Sequence, residues 1–191
     1  MLLTFAIEQS KNMELQLESK HLERIFPDFP QTLDKKRFCD VFNPLAERFL
    51  FYGMPDTECA MARVAHLLAQ MSVDSKCFLV SDNRKERGKY RGRGFIRCRG
   101  IGDYLALSSW WYGDTRLAEM PQIVTDHIEM RFVAAFWKWN ARGCNTMADK
   151  DMYKDITITL HGGRMTDYVK RIVETERIRT ALRQIYGRDK E

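Results

Sequence analysis

The chain has 191 residues, 45% of them hydrophobic and 30% charged, a balance typical of one globular domain with a true core. No apolar run approaches the roughly 18 residues needed to cross a bilayer, and Leu2 to Ile7 lacks the basic leader of a signal peptide, so we expect synthesis in the cytoplasm. The five cysteines are odd in number and lack metal-type spacing, so they indicate neither a full disulfide framework nor a zinc site. The net charge of +5 favours encounters with polyanions.

Apolar residues recur at helical spacing in the first half of the chain. The pattern predicts a helix from Met13 to Phe26, ended by Pro27, and a second from Leu33 to Tyr52, ended by Gly53. Asp56 is a suitable N-cap for a third helix that continues to Asp74. Residues 1–12 are expected to be a disordered or loosely attached N-terminus.

The second half continues the helical pattern. A fourth helix is predicted from Ile123 to Trp139 and a last one from Thr166 to Tyr186, with Ile172 and Leu182 facing inward and the arginines outward. The alternation of Ile156, Ile158 and Leu160 fits either a strand or a helix. The sequence therefore predicts a mainly α protein that forms one domain over residues 1–191.

The stretch from Tyr90 to Gly100 combines backbone freedom with dense positive charge. Gly92 and Gly94 let the main chain approach a ligand or another segment where a Cβ would collide. Eight of the 31 Lys and Arg residues fall between Arg84 and Arg99, with only Glu86 opposing them. This basic segment is suited either to an anionic partner or to an internal network of ion pairs.

Several motifs resemble, in order and approximate spacing, the family 19 glycoside hydrolases, in particular the phage endolysin and bacterial chitinase branch. The similarity covers nearly the whole chain, because Leu15 to Pro30 also matches the opening helix and proline turn of that branch. The resemblance implies a lysozyme-like helical bundle with a two-lobed cleft, and hydrolysis of β-1,4 bonds next to N-acetylglucosamine. It is carried by Ala65 to Met71, Tyr90 to Ile96, Ala135 to Lys138, Asn145, Ala148 with Asp149, and Gly162 with Gly163.

The family's inverting reaction needs a carboxylic acid and a carboxylate base on opposite sides of the sugar, about 6.5 to 9.5 Å apart. Where the family has His-Glu, with Glu as the acid, this chain has Val73-Asp74, which makes Asp74 the candidate acid with one methylene fewer. The loop that carries the family's base is shortened here, and only Asp82 and Glu86 remain as candidate bases. Neighbouring arginines are expected to hold the pKa of Glu86 low.

The resemblance also implies a set of substrate-binding residues, two of which depart from the family pattern. Arg97 replaces a glutamine, so a side chain that both donates and accepts hydrogen bonds becomes one that only donates. His161 replaces an asparagine and keeps the capacity to bind a sugar or water. The full set is Tyr90, Arg91, Arg93, Arg97, Tyr104, Asn145 and His161.

Two functions from different classes follow. One is a diverged hydrolase of peptidoglycan or chitin, with activity expected to be weakened or lost, acting at the cell wall if it is exported or released. The other is a pseudoenzyme whose basic segment binds a protein partner or nucleic acid. No cofactor or metal is expected. Trp110 and Trp111 fit either a sugar-stacking surface or, more commonly for such a pair, packed core.

Overall fold

A computed structural model describes residues 15–54 and 56–187. These residues form helices and two isolated β-bridges, and none of them forms an extended β-strand. The predicted mainly α class is therefore confirmed. No helix in the described ranges is long and apolar enough to span a membrane. The helices are α1 Ser19–Ile25, α2 Lys35–Phe49, α3 Thr57–Ser75, α4 Gly100–Tyr112, α5 Arg116–Glu119, α6 Ile123–Asp126, α7 Ile128–Ala141, α8 Cys144–Ala148, α9 Tyr153–His161 and α10 Tyr168–Tyr186.

The first helix is shorter than the apolar pattern predicted. Met13 and the predicted loose terminus at 1–12 lie outside the described residues, while Leu15 to Glu18 are not helical. Leu17 instead donates its N–H to Asn43 Oδ1 at 2.9 Å, which ties this extended segment to α2. A reciprocal capping box between Glu18 and His21 then starts α1.

The second and third helices agree with their predictions. Asp34 accepts a hydrogen bond from Arg37 N and starts α2, and Asp56 accepts one from Cys59 N at 2.8 Å and starts α3. α3 is the central helix, because nearly all of its side chains are buried. It packs mainly against α10, which brings residues from opposite ends of the chain together.

The predicted helix Ile123–Trp139 is two helices, because His127 has extended backbone with φ −110° and ψ 126°. Residues 156–160, which fitted either a strand or a helix, are helical and belong to α9. The arginines of α10 were predicted to face outward, yet Arg171 and Arg179 are buried. The single-domain boundary stays a prediction.

Aromatic side chains form the core between α2, α7 and the segment that follows α3. Phe38 contacts Phe132 edge to face at a centroid distance of 4.7 Å, and Phe95 contacts Phe132 in the same way at 4.9 Å. Phe78, directly after α3, packs against both Phe38 and Phe95. The loop that carries the basic segment is thus anchored to the core by Phe78 and Phe95.

Candidate functional site

The C-terminal end of α3 and the basic segment meet at Arg97. Its Nη2 donates to the backbone carbonyl of Asp74 at 2.9 Å. Its side chain also packs so closely on Gly92 that a Cβ there would lie 3.1 Å from Arg97 Cδ. Gly92 in turn donates its N–H to Glu86 Oε2 at 2.8 Å. A continuous chain of contacts therefore joins the candidate acid Asp74 to Glu86, one of the two candidate bases.

Asp74, the candidate acid, has only 9% of its side chain exposed. Arg171 Nη2 on α10 lies 2.5 Å from Oδ1, and His161 Nδ1 on α9 lies 3.5 Å from Oδ2. Both carboxylate oxygens thus face side chains from the last two helices.

Gln70, one turn before Asp74 on α3, orients both of those neighbours. Its Oε1 accepts a hydrogen bond from Arg171 Nη1 at 2.8 Å and lies 2.9 Å from His161 Nε2. Burial lowers the pKa of His161 to about 4, so its imidazole is neutral at pH 7. The neutral ring donates its Nε2–H to Gln70 Oε1, which leaves Nδ1 without a proton at 3.5 Å from Asp74 Oδ2.

Asp82, a candidate base, is held by a two-pronged ion pair. Arg91 donates from Nε and Nη2 to the two carboxylate oxygens, each at 2.6 Å. These hydrogen bonds lower the pKa of Asp82, and only 11% of its side chain is exposed. Asp82 is therefore ionised at neutral pH, with both oxygens occupied.

Glu86, the other candidate base, turns toward its own loop. Besides the Gly92 N–H, it accepts a hydrogen bond from Asn83 Nδ2 at 2.7 Å, and its Oε1 lies 2.5 Å from Arg99 Nη2. Burial by itself raises the pKa of Glu86, but these hydrogen bonds and the charges of Arg99 and Arg97 outweigh it and lower the pKa. The pKa of Glu86 is thus lowered both by hydrogen bonds within its loop and by the arginine charges that the sequence predicted.

Arg93 belongs to this loop, and Tyr104 on α4 packs against it from within the fold. Arg93 is 4% exposed and donates from Nη1 to Tyr104 Oη at 3.0 Å and to the carbonyl of Lys89 at 2.9 Å. Tyr104 is fully buried and donates to the carbonyl of Arg91 at 2.6 Å. Their role in substrate binding stays a prediction, and in this structure both side chains hold the loop together.

Tyr90 and Asn145 occupy different parts of the fold. The Tyr90 carbonyl accepts from Gly100 N at 2.9 Å, and its half-buried ring packs on Tyr104. Asn145, on α8, accepts from Trp139 Nε1 and donates to the carbonyl of Phe49, each at 2.7 Å. Asn145 therefore joins α2, α7 and α8, and its predicted contact with substrate remains untested.

Comparison with known proteins identifies the fold. Chitinase C from Streptomyces griseus superposes with a TM-score of 0.72 at 14% identity, over 88% of this chain and 77% of that one. A mutant of chitinase C gives 0.70 at 15% identity, over 90% and 94% of the two chains. A bacterial family 19 chitinase gives 0.67 at 14% identity, over 86% and 94%. The fold is that of the family 19 chitinases.

Sequence comparison agrees with this fold over a shorter stretch. A protein of Haemophilus influenzae described as a glycosyl hydrolase family 19 domain-containing protein is 29% identical over 75 residues, 39% of this chain. The match covers 34% of that protein, so the chain spans about a third of the length of this relative. No protein-family model matches the chain. The predicted resemblance is thus confirmed by the chitinase fold.

Within this chitinase fold, the residues that sequence reasoning missed are Gln70 and Arg171. Arg171 was taken for one of the outward arginines of α10, although it is 3% exposed and contacts Asp74 directly. The available signal was its spacing, because Arg171, Thr175 and Ile178 repeat at four and three residues and share the buried face of α10. Among the described residues, no group of three His, Cys, Asp or Glu is placed to hold a metal ion.

Proposed function

We propose that this chain is a glycan-binding domain with the chitinase fold, whose hydrolytic activity is weakened or lost. The proposed ligand is a β-1,4-linked glycan that contains N-acetylglucosamine, as in peptidoglycan or chitin. The fold supports the ligand class, since the chain superposes on family 19 chitinases over most of its length. The state of the carboxylates supports the loss of catalysis.

The observation that carries the proposal is that both carboxylate oxygens of each candidate base already have hydrogen-bond or ion-pair partners. A base must accept a proton from water, which requires a carboxylate lone pair that water can reach. Asp82 uses both oxygens on Arg91, and Glu86 uses both on Gly92 N–H, Asn83 and Arg99. Hydrolysis would therefore require these contacts to break first.

The position of the candidate acid also argues against catalysis. Asp74 is one methylene shorter than the glutamate that the family uses, and displacement of a catalytic group by about 1 Å can cost about a hundredfold in rate. Arg97 holds the backbone carbonyl of this residue, so a shift of α3 that would restore the reach of Asp74 would also break that contact.

The test measures binding and hydrolysis separately. Isothermal titration with N-acetylglucosamine oligomers and sedimentation with peptidoglycan sacculi are expected to show binding, while release of reducing ends stays near background. Asp74→Glu restores the missing methylene, and Asp155→Ala serves as a control at an exposed position of α9. Failure to bind either glycan overturns the proposal. Rapid hydrolysis that disappears in Asp74→Ala but persists in Asp155→Ala overturns the loss of catalysis.

A second candidate function rests on the outer half of the basic segment. Arg84, Lys85, Arg87 and Lys89 are exposed, and within residues 15–54 and 56–187 none of them forms an ion pair with a carboxylate. This surface favours a polyanion such as nucleic acid or an acidic protein partner. Retention on immobilised DNA that falls steeply with salt, and is lost in Arg84→Glu with Arg87→Glu but kept in Lys154→Glu, is the expected result. Absence of retention at low salt excludes nucleic acid.

A further inference from the structure

The C-terminal end of α4 carries a cluster of aromatic side chains outside the candidate site. The Trp110 ring lies 5.3 Å from the ring of Phe49, the last residue of α2, and 5.7 Å from the ring of Trp111, measured between centroids. The guanidinium of Arg48 lies 4.9 Å from the Phe49 centroid. These four residues, Arg48, Phe49, Trp110 and Trp111, are called the aromatic cluster below.

The aromatic cluster is only partly covered by the fold. Trp110 is 36% exposed, Phe49 and Trp111 are half-buried, and Arg48 is exposed. Trp139 differs from them, because it is fully buried and its indole N–H is paired inside the fold. Among the described residues, no acceptor pairs with the indole N–H of Trp110 or of Trp111. Both tryptophans therefore keep a hydrogen-bond donor available for a ligand.

The aromatic cluster lies on the side of α4 that is joined to the candidate site. Trp110 follows Asp103 by seven residues, which is nearly two complete turns and about 10 Å along the helix. Asp103 Oδ2 lies 3.1 Å from Lys138 Nζ, which donates to the carbonyl of Arg97 at 2.7 Å. Arg97 in turn contacts Asp74. A linear ligand that passes Asp74 and follows this side of α4 would meet Trp110.

The size of the exposed surface on Trp110 favours a sugar over a protein. A tryptophan side chain covers at most about 250 Å², so 36% exposure leaves on the order of 100 Å² free. A stable protein interface buries about 800 Å² on each partner. The free part of one indole is enough for one pyranose ring, whose C–H groups pack on the aromatic ring while its oxygens accept from an indole N–H.

Arg48 adds a charge that distinguishes one glycan from another. Its guanidinium packs on Phe49, and among the described residues no carboxylate lies within ion-pair distance of it. A guanidinium without a partner favours a ligand that carries a carboxylate. Chitin has no carboxylate, whereas the peptide stems of peptidoglycan carry several. The aromatic cluster is therefore better matched to peptidoglycan.

We propose that the aromatic cluster binds a sugar of a peptidoglycan strand, with Trp110 as the stacking surface and Arg48 paired with a carboxylate of a peptide stem. This inference rests on the proposed function, because it assigns a binding surface and one of the two glycans to it. The cluster contains no carboxyl or imidazole group that could act as an acid or base at a glycosidic bond. Its part is binding, and it extends the ligand contact beyond the candidate site.

The experiment measures binding of two probes to the intact chain by isothermal titration. The probes are soluble disaccharide-peptide fragments of peptidoglycan and an N-acetylglucosamine oligomer with the same number of sugars. Trp110→Ala is expected to weaken binding of both probes at least about tenfold, because tryptophans at binding surfaces often contribute this much, and Trp110→Phe should recover part of the loss. Arg48→Gln should weaken only the peptidoglycan fragments, by about two- to fivefold at low salt, and added salt should remove this difference.

Two matched controls lie elsewhere on the surface. Val173→Ala shortens an exposed apolar side chain of α10, and Arg24→Gln removes an exposed arginine of α1. Neither control is expected to change the affinity for either probe. Circular dichroism checks that Trp110→Ala keeps its helix content, and Trp110→Leu, which keeps an apolar side chain but no ring, replaces it if Trp110→Ala does not fold.

Each other outcome overturns the inference. If the wild-type chain binds a probe and Trp110→Ala binds it equally well, the aromatic cluster is not a binding surface, although the proposed function stands. If the wild-type chain binds neither probe, the inference and the proposed function are both wrong. An equal effect of Arg48→Gln on the two probes contradicts the assignment to peptidoglycan. If Trp110→Ala leaves glycan binding intact but dissociates an oligomer in sedimentation, the cluster is a protein contact instead.

Discussion

Replacement of Gly94 by alanine tests whether the basic segment is held by close packing. Gly94 has φ +94°, and a Cβ on it would lie 3.2 Å from both Ala134 Cβ and the carbonyl oxygen of Ile96. The positive φ costs about 1–2 kcal/mol and the overpacking about 1–3 kcal/mol. The smaller entropy of the unfolded alanine chain returns about 0.4–1 kcal/mol, so the net loss of stability is about 3 kcal/mol.

Three other glycines separate the two causes. Gly113 has φ +75° but nothing within 4 Å, so Gly113→Ala isolates the backbone term and is expected to cost about 1 kcal/mol. Gly92 has no positive φ but lies against the flexible Arg97 side chain, so Gly92→Ala isolates the contact term and costs about 1 kcal/mol. Gly163 has neither feature, and Gly163→Ala is expected to stabilise by about 0.4–1 kcal/mol.

The assay is thermal unfolding followed by circular dichroism at one protein concentration. For a chain of this size 1 kcal/mol corresponds to about 2–4 °C, so Gly94→Ala should lower Tm by about 6–12 °C. If Gly94→Ala had the same Tm as Gly163→Ala, the close packing of Gly94 against α7 would be refuted. If Gly113→Ala lost as much stability as Gly94→Ala, the backbone alone would account for the loss.

Three further results are expected from the same structure. The pKa of His161 falls from 6.5 in the unfolded chain to about 4 in the fold, so the unfolded state takes up a proton first as the pH drops. The fold should therefore lose about 3 kcal/mol of stability between pH 6.5 and 4. Denaturant titrations should show a smaller loss for His161→Gln. Lys76 ends α3 with a positive φ of 53°, a strained backbone conformation for lysine, so Lys76→Gly should not lower Tm. The control Lys154→Gly within α9 should cost about 1 kcal/mol. Equal effects of the two changes would contradict backbone strain at Lys76. Asn145→Ala leaves the Trp139 N–H and the Phe49 carbonyl unpaired and should cost about 1–3 kcal/mol, measured by urea unfolding.

The parts of the fold that the sequence predicted well are those with a clear local signal. α3 was bounded correctly because Asp56 is a capping residue and the apolar stripe that follows is regular. α4 was not predicted, because its apolar residues lie on the exposed side as well as the buried side, so they show no one-sided helical period.

The candidate site was harder to predict than the fold, since its partners are distant in sequence. The motif pointed to Asp74 and to the loop of Arg97, and these two segments are in contact. What no local pattern reveals is that Gln70 and Arg171, 101 residues apart, share a hydrogen bond beside Asp74. Whether an arginine pairs inside a fold or faces water depends on tertiary contacts, so Arg91 was open to both readings until its ion pair with Asp82 was seen.

The packing of α3 on α10 has a consequence for biosynthesis. The central helix emerges from the ribosome 101 residues before Arg171, which pairs with Gln70, and at about 5–20 residues per second that interval is about 5–20 s. During this time a helix whose side chains are nearly all buried in the finished fold lacks its main neighbour. Nascent chains stalled before residue 168 should therefore be recognised by chaperones or digested by proteases, and become resistant only when α10 has been completed.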